Sequence, residues 1–212
     1  MDAFRDAVKE RFPTTRDLRV VNPHISITDD AVKTTTGPSS RIGIRLESED
    51  KKLVVQATGN SLLVSRLTPY ESWELLITQV RTLWLVHCDV FGSPDVTRLG
   101  VRYINRIALP EAGPIDLDTI LTAGPRIPAE LPQRLQQYLS RCVLRLDDDG
   151  ATLALAHSHD SPGQLTLDLD AFAEMRLKAS DPGIWEKLEV LRRIKNDAFF
   201  SSLHRSVWEA YL

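Results

Sequence analysis

Residues 97–109 read TRLGVRYINRIAL, and this stretch decides how the chain folds. Apolar and polar side chains alternate, which predicts a strand with one buried face. Leu99, Val101, Tyr103 and Ile107 point one way, and Arg98, Arg102 and Arg106 point the other. Asn105 falls on the apolar side, where a polar group needs a hydrogen bond, and a neighbouring backbone group or a helix end is its expected partner. Gly100 suggests either a bulge, which would break the arginine row, or the close approach of a ligand or helix.

The spacing recurs elsewhere. SRIGIRL (40–46) and SRCVLRL (140–146) each carry two arginines four residues apart. Each runs into an acidic turn, ESED (47–50) or DDDG (147–150). An apolar strand follows, KLVVQA (52–57) or TLALAH (152–157), and then a third, SLLVSRL (61–67) or QLTLDLDAF (164–172). Short turns make these meanders.

A long helix closes each copy. The first opens at Thr68-Pro69-Tyr70-Glu71, with Thr68 as N-cap and Glu71 completing a capping box. Its apolar stripe holds Trp73, Leu76, Ile77, Val80, Leu83, Trp84, His87 and Phe91. The second opens at Asp181-Pro182, and a short last helix holds Val207, Trp208 and Tyr211. Small helices at 2–12 and about 129–138 precede the meanders. Residues 13–39 are an insertion, with short strands at 18–21 and 25–27.

The expected fold is α+β: a curved antiparallel sheet with helices on one face and a pseudo-twofold (β)αβββα repeat. The first unit spans 1–95 and lacks its leading strand, the second spans 96–212, and both belong to one continuous domain. The missing strand leaves a sheet edge open, which invites a homodimer or a partner protein.

Composition narrows the partners. The 212 residues carry a net charge of −3, so no basic field covers the whole molecule. Arginine outnumbers lysine 19 to 7. No apolar run reaches the length of a membrane span and the N-terminus has no signal-peptide core, which places the expected protein in the cytoplasm without membrane attachment. Cys88 and Cys142 read as buried free thiols.

Pleat alternation gathers Arg41, Arg45, Arg98, Arg102, Arg106, Arg141 and Arg145 on one open face, with Arg66 as a less clearly phased neighbour. Guanidinium forks suit phosphate and carboxylate, so the face is the candidate site for an anionic partner, nucleic acid or an acidic protein surface. The competing reading pairs these arginines with Glu47, Asp168 and Asp170 on the same face, or with acids of the long insertion, and leaves a solvated face. His157 and His159 have a spacing that metals use, yet they lie before Ser161-Pro162-Gly163 and read as exposed turn residues. His87 reads as a core residue. No nucleophile–base pair, phosphate loop, metal set or cofactor is implied.

Three segments resemble a family of uncharacterised, sporadically distributed bacterial proteins: RLTPYESWE (66–74), VTRLGVRYINRI (96–107) and KNDAFFSSL (195–203). The likeness runs from about residue 41 onward. Members begin with the extra strand that is missing here. The resemblance implies no reaction. Sporadic distribution implies a mobile gene, which fits a protein–protein component of a phage-defence or toxin–immunity system. A small-molecule sensor or enzyme with a pocket between helices and sheet is the remaining reading, and a non-catalytic binding protein the leading one.

Overall fold

The computed structural model describes residues 1–28, 31–109, 116–126, 136–161 and 163–211. The fold is α+β with antiparallel strands throughout, divided between two four-stranded sheets. Two compact units carry them, Met1–Pro94 and Asp95–Leu212.

In the first unit, α1 (Asp2–Val8) precedes a long hairpin, β1 (Thr14–Thr28) and β2 (Ala31–Glu47). The insertion is therefore a pair of long strands, and β1 pairs with β2 from Thr14–Glu47 onward. Then come β3 (Leu53–Thr58), β4 (Ser61–Arg66) and α2 (Trp73–Phe91), giving the sheet order β1-β2-β3-β4. Alternation puts Ile44, Leu46, Val55 and Ala57 on one face, where Phe4, Val8 and Phe12 from the α1 segment and Leu83 of α2 cover them. The N-cap of α2 is Ser72, whose Oγ accepts from the Leu75 N–H at 3.2 Å, rather than Thr68. Glu71 is drawn instead into an ion pair with Arg66.

In the second unit, β5 (Val96–Ala108), β6 (Tyr138–Leu146), β7 (Ala151–Ser161) and β8 (Gln164–Leu177) form the order β5-β8-β7-β6. The helix α3 (Gly183–Ser202) and the short α4 (Arg205–Trp208) follow. Most of the helix expected at 129–138 lies outside the described residues, and Tyr138 begins β6. Leu165, Leu167 and Leu169 of β8 are fully buried with Ile107 of β5 and the 117–121 turn, and Ala198, Phe199, Val207 and Trp208 pack against them. Each such leucine contributes about 1.5–3 kcal/mol. The α3 helix lies across β5, β8 and β7, while residues 141–145 of the edge strand β6 stay exposed. Cys142, expected to be buried, is accordingly exposed, and both cysteines are free thiols.

The acidic turn 147–150 does more than meet solvent. Arg193 of α3 reaches Asp149 Oδ1 at 2.6 Å and Lys187 Nζ donates to the Asp149 carbonyl at 2.8 Å, so the β6–β7 turn is tied to the helix. Among the described residues no helix is long and apolar enough to cross a membrane.

Candidate functional site

The open face of the second sheet is built from one parity of each strand. On β5 it carries Arg98, Arg102, Ile104 and Arg106, and on β8 Thr166, Asp168, Asp170, Phe172 and Glu174. On β7 it carries Thr152, Ala154, Ala156 and Ser158, and on β6 Leu139, Arg141, Val143 and Arg145. Residues directly opposite in an antiparallel pair share a face, so the register fixes these neighbours.

Five of the seven candidate arginines meet on this face. Arg102 stands opposite Asp170 but leans to Asp168, which accepts from Nε at 2.9 Å and from Nη2 at 2.6 Å. This fork raises the guanidinium pKa above its ordinary value, through the Asp168 hydrogen bond first, against a smaller opposing effect of burial. Arg98 lies over the Phe172 ring, 4.4 Å from its centroid, and its Nη2 comes within 3.5 Å of Asp170. Gly100 makes that path open, since a β-carbon there would stand 3.4 Å from Arg98 Nη1. The register is unbroken from Arg98 to Ala108, so Gly100 is not a bulge, and the group nearest to it is the Arg98 side chain rather than a ligand or helix.

The other three arginines are less engaged. Among the described residues Arg145 pairs only with the well-exposed Asp147, at 3.3 Å, a contact of about 0–1 kcal/mol. Arg106 and Arg141 have no ion pair among the described residues. Arg102, Arg141, Asp168 and Asp170 surround a shallow depression of about 170 Å³ floored by Ala154 and Ala156, whose short side chains leave the space.

The remaining two candidates stand elsewhere, in the first unit. Arg45 is held by Glu47 at 3.0 Å. Arg41 departs from the row. The β1–β2 register slips so that Gly43 faces Leu18 and Arg41 faces Arg19, which leaves Ile42 as an extra residue. One extra residue reverses the pleat parity, and Arg41 reaches Asp2 of α1 at 3.2 Å and Asp17 at 2.8 Å. Arg66 meets Asp50 and Glu71 at the rim of a groove of about 640 Å³ between the α1 segment and the start of α2. Within that groove Arg11 bonds Gln79, so its cations are met internally.

Both histidines of the β7 pair overturn the exposed-turn expectation. The strand continues to Ser161 and keeps His157 and His159 on the parity of Leu153 and Leu155, so both are buried. His157 Nδ1 meets the Tyr138 hydroxyl and His159 Nδ1 meets the Gln164 carbonyl. No cluster of three metal-ligating side chains occurs among the described residues. His87 is fully buried, stacked on Trp84, and its Nε2–H donates to the Thr58 carbonyl at 2.9 Å. Asn105 donates from Nδ2 to the Leu167 carbonyl at 3.1 Å.

The sequence marks Lys195-Asn196-Asp197 near Phe199-Phe200 as a cap at the junction of the last helices, but two features escape it. Lys195 of α3 is buried, with Nζ 3.6 Å from the centroid of the Tyr103 ring and no carboxylate partner among the described residues. Burial, and then the nearby Arg192 charge, lowers its pKa to about 8. The second is the apolar content of the open face: Ile104, Leu139 and Val143 are 58%, 73% and 53% exposed. Their positions at arginine parity are the available signal.

No family model, curated protein or solved structure matches this chain. The resemblance drawn from the three segments rests on those motifs alone.

Proposed function

We propose that the chain is a non-catalytic binding protein whose open β5–β8–β7–β6 face holds an acidic protein surface. The observation that carries this reading is the pair Arg106 and Arg141. Both stand on a rigid sheet face without an ion pair among the described residues, beside exposed Ile104, Leu139 and Val143. Cations interleaved with exposed aliphatics suit a protein interface, where arginine is enriched and lysine depleted. The described part of this face carries arginine and no lysine.

Nucleic acid is the weaker candidate. Asp168 and Asp170 sit among the arginines and repel phosphate, and the Arg102 fork is already filled. The net charge of −3 supplies no long-range attraction for a polyanion.

The resemblance to a sporadic bacterial family supplies a setting, in which the acidic partner is the other member of a defence or toxin–immunity pair. The test is purification of the tagged chain from its host, with protein and nucleic acid both analysed, beside the double variant R106E/R141E. An acidic protein recovered with the wild type and lost with the variant supports the reading. The same recovery from both, or recovery of nucleic acid alone, overturns it.

A further inference from the structure

The second sheet ends in a strand that does little to discourage pairing. Exposed sheet edges are normally blunted by charged side chains, lysine above all, or by proline, bulges or short length. The β6 strand has neither lysine nor proline, and it pairs with β7 over nine residues without a register shift. No strand occupies its other edge among the described residues. Arg141 to Arg145 are all exposed, so apolar side chains are uncovered on both sides of the strand: Val143 on the open face, Cys142 and Leu144 on the helix-bearing one. Among the other three edge strands, β1 exposes Val20 and Val21 but is interrupted by Pro23 and two register shifts, β4 is only six residues long and exposes Leu63 alone as a large apolar side chain, and β5 exposes Ile104 alone.

We propose that β6 is a self-association edge, at which two copies of this chain pair antiparallel and join their second sheets into one of eight strands.

The sequence of β6 selects the second copy as occupant. A twofold axis normal to the sheet pairs residues of equal parity, so outer positions meet outer positions. The register that uses all nine residues is centred on Cys142. It sets Leu139 against Arg145 of the second copy and Arg141 against Val143 of the second copy. Every arginine thus faces an aliphatic side chain, and no like charges stand directly opposite, which cross-strand pairing disfavours. On the other face Tyr138 meets Leu146, Ser140 meets Leu144, and Cys142 meets its own counterpart. Shifting the centre to Val143 would set Arg141 against Arg145. Pairing uses the backbone edge and leaves the outward arginines free, so this proposal does not depend on the acidic-partner reading.

Directly opposed residues have α-carbons about 4.5–5.5 Å apart, within the range that a disulfide spans. The test therefore uses the purified chain carrying Cys88→Ser, with diamide taking two electrons and two protons from two thiols. Sedimentation before oxidation reads the dimer. The expected result is a concentration-dependent dimer that oxidation locks covalently, with no lock after Cys142→Ser. Leu139 is an exposed side chain opposite Arg145 of the second copy, so its substitutions test the register without touching the core. Leu139→Glu should tighten the dimer and Leu139→Arg loosen it, each by about threefold or more, because the contact occurs twice. A chain that stays monomeric at millimolar concentration overturns the proposal. So does a dimer that Cys142 fails to lock, or one that both Leu139 variants shift in the same direction.

Discussion

The Tyr138 hydroxyl and His157 Nδ1 share a hydrogen bond of 3.0 Å across the β6–β7 pair, on the face turned to the helices. Their environment disfavours both charged forms. Burial lowers the His157 pKa below 6.5 and raises that of Tyr138 from 10.0 to about 12. For His157 the unfolded chain binds more protons below pH 6.5, so stability falls as the pH drops through that range. For Tyr138 the unfolded chain loses its proton first, so stability falls as the pH rises from 10 toward 12. Between these limits neither of the two groups makes denaturant midpoints depend on pH. Tyr138→Phe should flatten the alkaline limb, and an unchanged limb would refute the assignment.

Lys195 makes a second prediction about pH. Its charged form is held among apolar groups with only the Tyr103 ring for compensation among the described residues. Replacing it with methionine should stabilise the chain at pH 7 by about 1–2 kcal/mol, since a buried unpaired charge is removed. The unfolded lysine titrates near 10.5 and the folded one near 8, so wild-type stability rises with pH between the two. The advantage of Lys195→Met should therefore shrink across that window when both proteins are unfolded in urea.

Asp168 and Asp170 restrain the open face. Removing their charge in D168N/D170N frees the forks of Arg102 and Arg98. On a heparin column the double variant should elute at clearly higher salt than the wild type, in keeping with counterion release. Equal elution would show that these carboxylates do not screen the arginines.

Gly43 stands where β2 changes phase. A β-carbon there would lie 2.4 Å from the Ala57 carbonyl oxygen and 2.9 Å from Thr58 Cγ2. The first of these is backbone and cannot rotate away. Gly43→Ala should lower stability by about 2–3 kcal/mol in chemical denaturation. Gly59→Ala should change it little, because a β-carbon at that position would meet no atom within 4 Å.

The alternation of 97–109 is enough to read β5, its buried face and the outward set of Arg98, Arg102 and Arg106, because pleat parity is a local property. Arg41 defeats the same reading because one extra residue in β2 reverses parity, and a bulge is set by the facing strand. The histidines defeat it because Ser161-Pro162-Gly163 suggests an early turn, whereas β7 runs to Ser161. The burial of Lys195 and the exposure of Cys142 depend on where α3 stops across the sheet, which neither residue's neighbours in sequence encode. The same holds for the Asp168 fork, since Arg102 passes over its facing residue to reach the next.

The β6 strand is fastened at both ends. Tyr138 is bonded to His157, and beyond Leu146 the 147–150 turn is clasped by Arg193 and Lys187 of α3. Between these anchors lie the exposed residues 141–145. A segment held this way has already lost most of its conformational entropy, whereas a frayed edge must lose it on every encounter. Its bare middle is therefore a preformed template, and a strand arriving there has only its own freedom to give up.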